Sequence, residues 1–237
     1  MTPDPFDANL LLASLPASAL ARLRDAFSFV ELPVKMTLER RNMPLEHVYF
    51  PTSGIVSIVS SEKGGLNIEA ALVGREGMTG LPLVLGDDRS AAEVIMQVPG
   101  AGWRLEARAL GQLMEDRNCR DRLSRYVHAV MIQIQGTALA YGRGTLTSCL
   151  ARWLLMCHDR VQGDELPLTH EFMALMLGVR RSGVTVALHD LEGRGLIRSL
   201  RGRVLIRDRE GLMAVTGGLY GGPEAHYRRL MSQDQPA

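Results

Sequence analysis

The sequence predicts an α+β chain in three parts: a β-rich N-terminal domain, one long helix, and a C-terminal helical pair closed by a β-hairpin. Three observations predict this division. Short β-branched runs alternate with glycine turns from about Leu32 to Arg104. An apolar stripe at helical spacing runs from roughly Arg120 to Tyr141. The stretch from Leu168 to Asp208 reads as two short helices on a tight turn, then two aliphatic strands around a glycine.

Composition bounds what such a chain can be. Its 237 residues leave room for two domains and a real core. Hydrophobic residues at 46% and charged residues at 22% are ordinary for a soluble protein, and no apolar run reaches the length of a membrane span. The opening MTPDPFDANLLLASL has no basic region before its apolar run, so it does not read as a signal peptide. Cys119, Cys149 and Cys157 form no CxxC pair, which points to a reducing, cytoplasmic setting. A net charge of +1 excludes a uniformly basic coat, but arginines crowd the segment from Arg180 to Arg209.

Residues 8–30 read as a helical lead-in, with Leu11, Leu12 and Leu15 before Pro16 and Leu20, Leu23 and Phe27 after it. The β-rich part follows as HVYFP, GIVSIVS, LNIEAALV, EVIMQV and GWRL, with turn signals at Lys63-Gly64-Gly65, Gly74 to Gly77 and Pro99-Gly100. Short strands at regular spacing suggest a barrel or a β-roll. The stretch from Gly74 to Ser90, GREGMTGLPLVLGDDRS, interrupts them. It reads either as a buried loop that holds a ligand, with arginine available for a phosphate, or as a structural crossover with a surface arginine.

From about Glu106 the pattern turns helical. Leu123, Val127, Val130, Ile134, Ala138 and Tyr141 form one stripe. Such a helix either packs on the β-roll and pairs with its twin across a two-fold axis, or is a long intramolecular helix. Gly142-Arg143-Gly144 breaks the pattern as a hinge. Thr145 or Thr147 then caps a helix through Trp153 to about Val161, and Gln162 to Glu165 form a loop.

The next stretch makes specific physical demands. Ala174 faces the second helix where two helices cross, so its side chain must be small. Gly178, between Leu177 and Val179, supplies a turn with positive φ. Val184, Ala187, Leu188 and Leu191 make an inward face. Thr169 is an N-cap and Glu171 suits the positive helix end, although Phe172 rules out a full capping box. The outward face then carries Arg181, Ser182, Thr185 and His189, led by Arg180 in the turn. That is the composition of a helix that reads a major groove; the competing reading is a helical hairpin with solvated charges. From Leu196 to Asp208, two aliphatic runs flank Arg201-Gly202-Arg203, a wing whose arginines would meet phosphate, or else an ordinary basic turn. Gly211 to Val215 predicts a short helix. Gly217, Gly218, Gly221, Gly222 and Pro223 suggest a loose tail, with one more short helix over Ala225 to Met231.

In this order the parts resemble the Crp/Fnr family of bacterial transcription regulators, from about residue 9 to 212. The strongest match is LTHEFMALMLGVRRSGVTVALHDLEGRGLI, supported by VYFPTSGIVS and VGREGMTGLPLVLG. The resemblance implies a cyclic-nucleotide-binding-like β-roll for effector sensing over residues 9–116 and a dimerisation helix over 117–142. It further implies a winged helix-turn-helix over 145–215, and a tail over 216–237. It implies a cytoplasmic homodimer on double-stranded DNA, with RNA polymerase as partner and no membrane. The two reading helices would enter successive major-groove turns on palindromic half-sites about 34 Å apart. The implied DNA contacts are Thr169, His170, Arg180, Arg181, Ser182, Thr185, Val186 and His189, with Arg201 and Arg203 in the wing. The implied ligand residues are Gly80, Leu81, Arg89 and Ser90.

Departures from the family pattern narrow these implications. Cyclic-AMP responders carry a glutamate after the glycine for the ribose, and here Leu81 and Pro82 follow Gly80 while Arg89-Ser90 remains. Leu81 accepts no hydrogen bond, and an unpaired buried hydroxyl costs roughly 1–3 kcal/mol, which argues against cyclic AMP. Another nucleotide-like effector, or none, stays open. Three scattered cysteines argue against the four-cysteine iron–sulfur cluster of Fnr-type sensors, and His47 and His128 have no supporting haem pattern. Ser182 and Val186 stand where the family commonly has glutamate and arginine, so the operator should differ, with Arg181 on guanine and Val186 on a thymine methyl. No HxH, HExxH, Ser-His-Asp or P-loop pattern supports an enzyme. The remaining alternative is a ligand- or protein-binding module whose winged helix meets no DNA.

Overall fold

A computed structural model of the chain describes residues 5–62 and 67–232. The turn expected at Lys63-Gly64-Gly65 lies outside them. The strands are β1 (Phe27–Leu32), β2 (Thr37–Glu39), β3 (His47–Pro51), β4 (Ile55–Ser61), β5 (Asn67–Val73), β6 (Glu93–Val98), β7 (Gly100–Glu106), β8 (Glu165–Leu166), β9 (Ile197–Leu200) and β10 (Arg203–Ile206). The helices are α1 (Leu10–Ala13), α2 (Ala17–Arg22), α3 (Leu81–Val84), α4 (Ala107–Glu115), α5 (Arg117–Arg143), α6 (Leu146–His158), α7 (His170–Met176), α8 (Arg181–Gly193), α9 (Arg209–Val215) and α10 (Gly222–Ser232). The chain divides into two units: Met1–Ile58 with Val73–Met131 and His226–Ala237, and Val59–Leu72 with Ile132–Ala225.

The first unit is built on β-strands. One sheet has the order β1-β7-β3 and the other β2-β6-β4-β5, the last strand and the end of β4 being counted with the second unit. Two sheets facing each other make a roll. Leu32, Tyr49, Val56, Val73, Val94 and Met96 fill its core, with Val30, Met36, Leu38 and Ile58 packed against them. The helical lead-in is shorter than the sequence suggests. A 3₁₀ turn ends at Ala26, and Phe27 opens β1, paired antiparallel with Leu105 of β7. Phe27 obeys helical spacing with Leu20 and Leu23, but its ring packs on Phe6 at 4.8 Å between centroids and belongs to an aromatic cluster with Trp103 and Phe50. Asn9 caps α1 by accepting from Leu12 N, and its amide donates to Pro51 O and Gly77 O, tying the lead-in to the roll.

The stripe expected on α5 divides in two. Leu123, Val127 and Val130 are buried, joined by Tyr126, whose hydroxyl donates to Met78 O. A Cβ at Gly77 would overlap that hydroxyl, so only glycine fits there. Farther along, Ile134 and Ala138 are exposed rather than buried, and Tyr141 is half-buried, its hydroxyl donating to Met176 O at 3.3 Å. The first half of the stripe is consumed by packing. The second half leaves apolar side chains in solvent.

The second unit centres on α6, where Leu150, Leu154, Leu155 and Cys157 are wholly buried. Thr145, not Thr147, is its N-cap, accepting from Ser148 N at 3.2 Å. The preceding Gly144 has no room for a side chain. A Cβ there would lie 2.7 Å from Ala140 O, 2.8 Å from Cys149 Sγ and 2.9 Å from Leu219 Cδ1. The helix ends at His158, short of Val161, and Glu165–Leu166 is not loop but a strand, β8, pairing with β10 through Leu166 and Val204. Leu166 is completely buried, which draws this short segment into the sheet β8-β10-β9. After the wing, α9 starts at Arg209 behind the N-cap Asp208, and α10 starts at Gly222 within the segment expected to be loose.

Candidate nucleic-acid interface

The two helices α7 and α8 meet at a turn whose chemistry the residues dictate. Thr169 accepts from Phe172 N at 3.1 Å and so caps α7. Gly178 takes φ +64°, the left-handed region where a Cβ clashes with the backbone. Ala174 is buried at the crossing, and Val184, Ala187, Leu188 and Leu191 turn α8 inward. Gly183 brings α8 against α6, since a Cβ there would meet Leu146 Cδ2 at 2.9 Å.

With one face of α8 committed, Arg181, Ser182, Val186 and His189 stand exposed, and Arg180 precedes them as the N-cap residue. Val186 is 69% exposed, a large apolar side chain held in solvent at the middle of a polar face. Arg180 and Arg181 sit at the helix N-terminus, where a phosphate or a guanine edge gains from the helix dipole as well as from the guanidinium groups.

Two of the expected contact residues are bonded to each other within the domain. His170 lies with Nδ1 3.1 Å from Thr185 Oγ1 and Nε2 3.2 Å from Ser199 Oγ. The Thr185 hydroxyl donates its one proton to Arg181 O at 3.1 Å. It therefore accepts from His170, which places the ring proton on Nδ1 and leaves Nε2 to accept from Ser199. One imidazole thus joins α7, α8 and the wing strand β9. Burial pushes the His170 pKa down, and the charges of Arg181 and His189 push it the same way.

The wing is a two-residue hairpin. Leu200 pairs with Arg203 and Ser199 with Val204, and the turn is Arg201-Gly202, with Gly202 at φ +76°. Arg201 is exposed at the tip. Arg203 is exposed too, but its Nη1 donates to Glu165 Oε1 at 3.1 Å on the third strand. Arg198 on β9 and Arg207 just after β10, which no motif singles out, add two more exposed arginines to the wing. Ser199 is the other residue that sequence reasoning misses; it lies 29 positions from the histidine it serves.

In the first unit the four expected ligand residues are split. Gly80 is buried at φ +77°, the N-cap of α3, and its N–H donates to Glu39 Oε1 at 2.5 Å. Ser90 and Thr79 are buried beside the same carboxyl and draw its pKa down against the upward push of burial. Leu81 is half-buried. Arg89 is exposed, donating from Nη1 to Asn42 O at 2.9 Å, with Nε 3.6 Å from Asp88. Glu39, in the middle of this constellation, carries no sequence signal. Among the described residues no three His, Cys, Asp or Glu side chains gather as a metal group, and no helix is long and apolar enough to cross a membrane.

Residues 150–215 match the Crp-like helix-turn-helix domain family. No curated protein matches the sequence. Among solved structures, a Crp/Fnr-family transcriptional regulator from Eubacterium rectale superposes with TM-score 0.69 at 18% identity, covering 90% of this chain and 100% of that one. FixK2 from Bradyrhizobium japonicum gives 0.70 at 17% identity, covering 80% and 96%. A CRP-family transcriptional regulator from Thermus thermophilus gives 0.67 at 22% identity, covering 80% and 97%.

Proposed function

The chain carries a Crp-like helix-turn-helix domain on a Crp/Fnr fold, the make-up of a DNA-binding transcription regulator, and from that premise we propose that it reads a palindromic site as a homodimer. The observation that carries the reading is the outward face of α8. A helix that seals its inner side with Val184, Ala187, Leu188 and Leu191 keeps Arg180, Arg181, Ser182, Val186 and His189 in solvent. Arg181 suits the O6 and N7 acceptors of guanine, and Val186 suits the methyl of thymine. Arg201 and Arg198 of the wing suit phosphate, where they add affinity without sequence preference.

Dimerisation is read from α5. Its exposed positions His128, Met131, Gln135, Ala138 and Gly142 recur at alternate steps of three and four, the spacing of a coiled-coil seam. Met131 is 50% exposed and Leu139, beside the seam, 57%. A second copy of the helix covers this seam in the proposed dimer and sets the distance between the two reading helices. Control by a small effector in the roll, contact with RNA polymerase and action in the cytoplasm belong to the same proposal, with regulation rather than catalysis as the output.

The test is selection of random duplexes on the purified protein. An inverted repeat among the survivors, with Arg181→Ala binding it roughly tenfold or more weakly, supports the reading. A protein that retains no duplex at low salt would instead be a binding module whose winged helix meets another protein.

A further inference from the structure

The buried carboxyl of Glu39 lies where the resemblance places an effector's phosphate. It ends β2, is only 4% exposed, and takes the N–H of Gly80, with the buried Thr79 and Ser90 side chains beside it drawing its pKa down. An N–H from the glycine turn and a serine hydroxyl are what an anionic ligand would use at this position, and here the N–H is spent on the chain's own carboxyl and the serine lies beside it. The neighbouring backbone fixes the arrangement. Arg41 bridges Ser90 and Pro44 bridges Arg89, so the segment after β2 runs alongside the end of the glycine-rich stretch. Thr79 is held from its other side by Tyr49 N at 3.0 Å, and Ser90 Oγ also accepts from Ala92 N at 3.3 Å. Behind Gly80 stands Val48, whose Cγ1 would overlap an added Cβ, so no side chain fits at this position.

We propose that Glu39 is a tethered internal ligand: its carboxyl fills the seat formed by Gly80, Thr79 and Ser90, and the roll is set in its folded form without a phosphate-bearing effector at that place. Covalent attachment keeps the group at high local concentration. Burial pushes the Glu39 pKa up, while hydrogen bonds from Gly80, Ser90 and Thr79 draw it down, as expected for a carboxyl removed from water and given protein donors in exchange. The exposed Arg89, turned to Asn42 and Asp88, takes no part.

The proposal implies that removing the carboxyl leaves a hole with donors in it, which small carboxylates fill. The full-length protein and its Glu39→Ala and Glu39→Gln variants are followed by thermal unfolding. Cyclic AMP, inorganic phosphate, sodium acetate and sodium chloride are added at matched ionic strength, with calorimetric titration of cyclic AMP and phosphate. The wild type is expected to give no saturable heat with either ligand. Glu39→Ala should melt roughly 4–8 °C lower, and acetate, not chloride, should restore at least half of the loss. Glu39→Gln, which keeps an acceptor, should melt within about 3 °C of the wild type. Saturable binding of cyclic AMP or phosphate by the wild type overturns the proposal, and so does equal rescue of Glu39→Ala by acetate and chloride. Should Glu39→Ala not fold on expression, its refolding yield in acetate against chloride gives the same comparison. None of these measurements uses DNA, so a failure of the operator-binding proposal is distinguishable from a failure here.

Discussion

The Nδ1 of His170 stands 3.1 Å from the hydroxyl oxygen of Thr185, a bond that ties α8 to α7. A second bond, to Ser199 at 3.2 Å, carries the same ring to the wing. His170→Ala removes both. At about 0.5–1.5 kcal/mol for each net hydrogen bond, stability should fall by about 1–3 kcal/mol, read as a lower urea midpoint with an unchanged slope. His170→Gln, which can both donate and accept, should recover part of the loss.

The same histidine predicts a pH dependence. Its pKa is lowered from 6.5, first by burial and then by Arg181 and His189. Below 6.5 the unfolded chain therefore binds more protons at this position than the folded one. The contribution is fully present above 6.5 and is lost as pH falls toward the folded-state value. Urea midpoints measured from pH 8 to pH 5 should decline more steeply for the wild type than for His170→Gln; identical slopes would remove the histidine from the account.

Arg181 and Arg201 should fail in different ways. Arg181→Ala is expected to cost roughly 1–3 kcal/mol on a selected site and to relax preference at one base pair. Arg201→Ala should weaken selected and random duplexes alike and make the salt dependence shallower by about one ion. Arg203 already donates to Glu165 at 3.1 Å, so its removal should change the salt slope less than removal of Arg201. Fluorescence anisotropy across a salt series checks all three.

Gly178 and Gly80 both hold left-handed backbone, at φ +64° and φ +77°. Alanine at Gly178 should cost about 1–2 kcal/mol from conformation alone. At Gly80 the added methyl also meets Val48, so overpacking of about 1–3 kcal/mol adds to that strain and the melting temperature should fall further.

The seam on α5 is tested by charge. Met131→Arg or Ala138→Arg places two like charges face to face across the proposed two-fold axis, and light scattering should then report a monomer. A dimer that persists in the double variant would move the interface elsewhere.

How much of this was legible in the sequence depends on how local each demand is. The helix-turn-helix announces itself because Thr169, Ala174, Gly178 and Val184 answer to neighbours a few residues away, and the wing does so through Gly202 between two aliphatic runs. Phe27 misleads because its helical spacing is local while the pairing that decides it, with Leu105, is remote. Glu165 and Leu166 look like loop for the same reason, since two residues make no pattern until β10 lies beside them. In the interface, the outward face of α8 follows from knowing its inward face. That His170 is a clip as well as a candidate contact does not, because Ser199 is far along the chain. Glu39 is the extreme case: in a strand of three residues a carboxylate reads as surface, and its burial is set by Gly80, 41 positions on.

The close fit around Gly144 bears on how motion could pass along this chain. The elbow between α5 and α6 has no slack: its missing side chain would strike Ala140, Cys149 and Leu219 at once, and its N–H is held to Ala140 O at 2.7 Å. A side chain there would have to displace Leu219, a residue beyond α9. The glycine-rich run after α9 thus borders the joint, and shortening Leu219 would open part of the space that position 144 lacks.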